Sequence, residues 1–157
     1  MLSRVAFGVQ LKKENHTATG LSARKKVYTK FKREPLRVRA MEKVLFIESG
    51  FGADQHGQNA TKACKRACRN AIEFNSIPSI KDIVPGGYEN MKLHVKIGCP
   101  DPHTVDVKDL AEVFPYGSPR FEVVEGGLRA NSGICIAELG DANDEMFIAV
   151  ACVTVGY

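Results

Sequence analysis

The sequence predicts a small α+β domain, a mixed sheet of four or five strands with one long and one short helix on one face, behind a separate basic segment. Three observations predict it. Charge divides abruptly: residues 1–40 hold 11 of the 22 Lys and Arg residues but only two of the 18 acids, Glu14 and Glu34. Residues 57–74 repeat apolar side chains at helical spacing, whereas residues 91–99 alternate at strand spacing. The last run, residues 146–155, is apolar at nearly every position, the pattern of a strand buried on both faces.

The chain has 157 residues, the length of one domain, with 44% hydrophobic and 25% charged residues. No run approaches the ~20 apolar residues that cross a bilayer, so no membrane partner is expected. Residues 1–40 read as an organelle transit peptide, disordered and cleaved. They are basic, poor in acids and dotted with Ser3, Thr17, Thr19, Ser22 and Thr29. The segment lacks the apolar core of a secretory signal and ends at Val38-Arg39-Ala40, a plausible processing point. The rival reading is a basic arm that stays attached and binds something acidic. Residues 41–157 keep 11 basic and 16 acidic residues, so this domain has no electrostatic reason to seek nucleic acid.

The elements of residues 41–157 follow in order. Residues 43–48 form a strand ending at the turn Ser49-Gly50-Phe51-Gly52. In the helix over 57–74, Ala60, Ala63, Cys64, Ala67, Cys68, Ala71 and Ile72 make one stripe. Small residues there let the helix approach its sheet closely. After a turn-rich stretch, residues 91–99 form a strand that Cys99-Pro100 and Asp101-Pro102 terminate. Residues 106–114 suit a two-turn helix, 121–125 a strand closed by Gly126-Gly127, and 134–138 a shorter strand. The final strand needs cover on both faces. Two helices on one side leave the other face to a partner, so a homo-oligomer joined through the sheet is expected. The alternative is that residues 76–90 and 128–144 fold over that face.

The strongest functional candidate is the strand-to-helix connection over residues 48–62. A strand end, glycines and a helix N-terminus place free N–H groups beside polar side chains, which suits an anion or a polarised carbonyl of a small-molecule ligand. His56 would be the acid or base, oriented by Asp54 or Glu48. Lys62 and Arg66, at i and i+4, would hold a carboxylate or phosphate. The structural alternative is that Asp54 or Asn59 caps the helix and His56 satisfies the turn. Gly50 and Gly52 lack the third glycine of the dinucleotide fingerprint, and no motif names a cofactor. Cys99, Asp101 and His103 could offer a thiol, a carboxylate and an imidazole to a metal, but no second cluster completes four ligands, so no metal is expected. The five cysteines, irregularly spaced, read as reduced thiols, with Cys64 and Cys68 as core packing. Lys92, His94 and Lys96 form the polar side of the alternating strand, where Glu122 or Glu125 would meet them.

The run ESGFGADQHGQNATKACKRACRNAI, with KLHVKIGCPDP, VFPYG, VVEGGL and the ending IAVACVTVGY, resembles one family. It is similar to conserved hypothetical proteins named after a Listeria member and found in bacteria, plants and algae. The resemblance covers 42–157 and none of 1–40. It implies a compact oligomeric domain with no activity to carry over. Its motif positions are Asp54, His56, Gly57, Gln58, Thr61 and Lys62. Where bacterial relatives often have Pro-Glu, this chain has Pro102-His103, which further weakens a metal site. A bacterial-type domain behind a basic presequence points to the chloroplast, with the mitochondrion as alternative. Function is thus expected to be small-molecule binding or catalysis at 48–62, against a structural or interaction module without activity.

Overall fold

A computed structural model describes residues 41–157; the transit-peptide reading of 1–40 lies outside the described residues. Five strands and three α-helices follow in chain order: β1 (Val44–Asp54), α1 (Ala60–Ile72), α2 (Ile80–Ile83), β2 (Lys92–Cys99), α3 (Val107–Ala111), β3 (Ser118–Glu125), β4 (Leu128–Asn131) and β5 (Glu145–Gly156). The sheet runs β1-β5-β2-β3, with β4 also paired to β5. It is mixed: β5 is antiparallel to β1, β2 and β4, while β2 and β3 are parallel. Along one side of β5, β2 pairs as far as Gly98 opposite Val150, and β4 resumes at Leu128 opposite Ile148. The α+β class and the mixed sheet are as the sequence predicts.

β5 is interior to the sheet, with β1 on one side and β2 and β4 on the other, and β2 is likewise interior, between β5 and β3. Among the described residues only one face of β5 is buried, and Val150 and Cys152 on its other face are exposed. Phe147, Ala149, Ala151, Val153 and Val155 are buried on the helix side, with Leu93, Val95, Ile97 and Cys99 of β2. α1 lies on the same side. Its stripe of Ala60, Ala63, Cys64, Ala67, Cys68 and Ala71 is buried, as the small-residue pattern requires. The Asn59 side chain caps it, accepting a hydrogen bond from the Lys62 N–H at 2.9 Å.

Two expectations need correction. The Ser49–Gly52 stretch is not a turn: β1 continues through it to Asp54, and α1 starts at Ala60 rather than 57. Gly50 and Gly52 face α1, and their lack of a side chain seats the helix. A Cβ at Gly50 would lie 2.6 Å from the Ala67 carbonyl oxygen, and one at Gly52 would lie 2.5 Å from that of Ala63. Second, residues 134–138 form no strand; the fourth strand is β4, and a 3-10 turn occupies Ala137–Leu139. The N–H groups of Ile134 and Ile136 are taken by side chains rather than by a neighbouring strand, and the Ile136 carbonyl accepts from the Leu139 and Asp141 N–H groups of the following turn. The Ile134 N–H donates to Ser132 Oγ and the Ile136 N–H to Asp141.

Residues 76–90 do not cover the far side of the sheet, because Ile80 and Val84 join the core beneath α1's side. Among the described residues the far side is open. Ile47 is 64% exposed, Phe51 66%, Leu128 56% and Val150 49%. No helix among the described residues is long and apolar enough to cross a membrane.

Overpacking at the helix seat generates a stability prediction. Gly52→Ala should destabilise the chain by about 2 kcal/mol or more, because backbone on both sides must move. Ser49→Ala, on the open side, should change stability by less than about 0.5 kcal/mol. Urea unfolding of both variants checks this; equal midpoints would remove the close seat as a constraint.

Candidate functional site

The connection from β1 to α1 occupies only residues 55–59, and it is held by two carboxylates with no share in each other's contacts. The first is Asp54, at the end of β1 and fully buried. Its Oδ2 accepts the Asn59 N–H at 3.0 Å, and its Oδ1 meets Lys62 Nζ at 2.9 Å and Arg66 Nη1 at 3.1 Å. Arg66 also donates to the Ala53 carbonyl. A buried carboxylate needs such partners to offset desolvation. The i,i+4 pair Lys62 and Arg66 therefore meets an internal anion first. Two cations against one carboxylate still leave a single positive charge, on side chains about half exposed.

The second carboxylate is Asp141, whose side chain is 1% exposed. Its Oδ1 accepts the Gly57 N–H at 2.7 Å, and its Oδ2 accepts the Ile136 N–H at 2.8 Å and faces His56 Nδ1 at 2.9 Å. The Ile136 and His56 hydrogen bonds hold its pKa down to about 2. The carboxylate is thus ionised at neutral pH and can only accept, so His56 Nδ1 carries the proton. In the neutral ring Nε2 then presents a lone pair. The His56 side chain is 30% exposed. This arrangement suits proton transfer at Nε2, with Asp141 fixing tautomer and orientation.

The orienter of His56 is therefore Asp141, not Asp54 or Glu48. Glu48 lies six residues before Asp54, about 20 Å away along a strand, and does not join this cluster. The other residues singled out by sequence converge on the turn, but mainly to anchor loops. Gly57, at φ 90°, turns its N–H to Asp141. Gln58 donates to the Glu145 carbonyl at 2.7 Å and accepts the Ala142 N–H at 2.9 Å. Thr61 Oγ1 accepts the Asp106 N–H at 2.9 Å, tying the segment before α3 to α1. Sequence reasoning missed Asp141. Its one local signal, Gly140-Asp141 in an Asp- and Asn-rich run, reads equally well as an ordinary turn.

Gly50 and Gly52 are occupied by α1's backbone, so they form no phosphate cradle. Cys99 is buried beside Cys64, whereas His103 is exposed, so the two do not meet. Among the described residues no three His, Cys, Asp or Glu side chains gather as metal ligands. Burial raises the Cys64 and Cys99 thiols and pushes Cys68 up to about 12, which keeps all three protonated. On the open side of the sheet, Glu122 sits 2.6 Å from Lys96 and 3.4 Å from His94.

Residues 44–155 match the family described as conserved hypothetical protein (Lin0512_fam). The chain belongs to that family. Its fold is also similar to the crystal structure of an FtsZ-like protein of unknown function from Nostoc punctiforme. The two are 40% identical with a TM-score of 0.66, over 72% of this chain and 93% of that one. No functionally curated protein matches. Membership in Lin0512_fam thus fixes a family and a fold without an activity.

The Asp141 contacts set an acid dependence. Its folded-state pKa is depressed from 3.8 to about 2, so its contribution to stability is fully present above about pH 4 and is lost as pH falls through 2. Asp141→Asn should lower stability at neutral pH and flatten the acid slope between those values. Urea unfolding at stepped pH checks this; parallel slopes for wild type and variant would refute it.

Proposed function

We propose that the chain is a homo-oligomeric protein that binds a small molecule at the β1–α1 turn, with His56 as acid or base. The observation that carries this reading is the His56–Asp141 pair, in which one ring nitrogen is held by a buried ionised carboxylate. A histidine serving only to satisfy a turn needs no such partner. The excess positive charge of Lys62 and Arg66 over Asp54 supports an anionic or polarised group on the ligand.

Self-association is supported by the open side of the sheet. Ile47 and Phe51 of β1, Val150 of β5 and Leu128 of β4 form apolar surface there that a second copy would bury. The structural reading is favoured by one different observation: Asp54, Gln58 and Thr61 spend their hydrogen bonds on internal loops. Under it, His56→Ala changes stability without changing any bound ligand.

One experiment separates these outcomes. Native mass spectrometry of the full chain, purified gently from its source, should show an oligomer carrying a small mass released by mild denaturation. His56→Ala should lose the added mass and keep the oligomer, while Val150→Glu should yield monomer. A wild-type monomer refutes assembly through the sheet. Mass retained by His56→Ala refutes the site at the turn.

Residues 1–40 serve in this reading as a chloroplast address, supported by their basic, acid-poor composition ahead of a bacterial-type domain. Fused to a fluorescent protein, they should deliver it to the plastid. Delivery to mitochondria, or none, refutes that compartment.

A further inference from the structure

α1 spans 13 residues, about 20 Å, and covers the sheet only where β1 carries Gly50 and Gly52. Past its C-terminus the same face is roofed by residues 75–91, in which only the four-residue α2 and a 3-10 turn are helical, and by 114–116; Ile80 and Val84 pack into the core, but no helix of α1's length continues over the sheet. A cleft of about 310 Å³ remains there. That volume is at the small end of the range typical of ligand sites. Its floor is Phe46, Glu48, Leu93, Val153 and Val155, and Tyr88 and Tyr116 stand in its wall.

Glu48 decides the chemistry. Among the described residues it is the only charged one lining the cleft, and no cation pairs with it. Burial raises its pKa, with the Asn75 side chain partly opposing the shift. A carboxylate among apolar side chains gains most from a cation that enters with it. Tyr88 and Tyr116 are stacked, with ring centroids 4.6 Å apart. Such rings attract positive charge on their faces and flat apolar bodies alongside, and Lys81 Nζ already lies 5.3 Å from the Tyr88 centroid.

We propose that this cleft binds a small organic amine, its ammonium group on Glu48 and its apolar body against the Tyr88–Tyr116 pair. The site is separate from the β1–α1 turn, since Glu48 and Asp54 are about 20 Å apart along β1. Glu48 thus belongs to a binding site, but not to the one that its sequence neighbourhood suggests.

Isothermal titration of the full chain with phenethylamine, phenethyl alcohol and phenylacetate tests this, because the three share a body and differ in charge. Phenethylamine should bind with a Kd below about 1 mM and at least roughly tenfold tighter than phenylacetate. Glu48→Gln should abolish that preference while leaving the alcohol's affinity unchanged. His56→Ala should leave all three affinities unaltered, so failure at the turn and failure at the cleft are distinguishable. Absence of saturable amine binding, equal binding of phenylacetate, or a preference that survives Glu48→Gln overturns the proposal. Should Glu48→Gln not fold, Ile77→Trp fills the cleft and must abolish amine binding; binding that persists overturns the proposal as well.

Discussion

The rest of the structure depends on the direct seating of the α1 backbone on β1. Ala63, Ala67 and Ala71 on the helix meet Gly50 and Gly52 on the strand, so no side chain separates the two backbones. Interiors pack at crystal-like density, and such a seat tolerates little adjustment. It fixes how far β1 runs before the chain can turn, and thereby where Asp54, His56 and the N-terminus of α1 come to lie. The buried thiols of Cys64, Cys68 and Cys99 fill the space beside this seat as small hydrophobes.

Once α1 is seated, the five-residue connection is organised by two buried carboxylates with different work. Asp54 neutralises part of the charge on Lys62 and Arg66 and receives the Asn59 N–H. Asp141 arrives from a distant loop and gathers Gly57, Ile136 and His56. Both follow from the cost of burying an unsatisfied charge, which neither could bear without its partners. The outcome is a turn braced from two sides, with the His56 ring directed by Asp141. Bracing of this kind serves a binding site and a structural corner equally well, so the ring nitrogen that Asp141 does not hold is what separates the two readings.

The sheet is treated unequally on its two faces. One face has α1 and a roof of short turns and loops that includes α2, and the mismatch between a 13-residue helix and a 12-residue interior strand flanked by three neighbours leaves the cleft at Glu48. The opposite face is uncovered by the described residues. It is apolar over β1, β4 and β5, and charged over β2 and β3, where Lys96, His94 and Glu122 meet. A surface divided in this way has an apolar area to bury and a polar border to orient what covers it.

Much of this was legible in the sequence. The Ala and Cys stripe determined α1 and its close approach. The alternation of 91–99 determined β2, because a strand with one buried face requires that period, and the apolar run of 146–155 marked β5 as a strand, of which the described residues bury one face. The residues of the β1–α1 turn could be selected because polar side chains gather there between a strand end and a helix N-terminus. Tertiary structure alone decided that Gly50 and Gly52 continue a strand, since glycine marks a turn and a close backbone approach with the same letter. It alone decided that Asp141, 85 residues from His56, is its partner, and that Glu48 faces a separate cleft. Local pattern fixes which side of an element is buried; which distant group meets it depends on how helix, sheet and loops pack, and no periodicity records that.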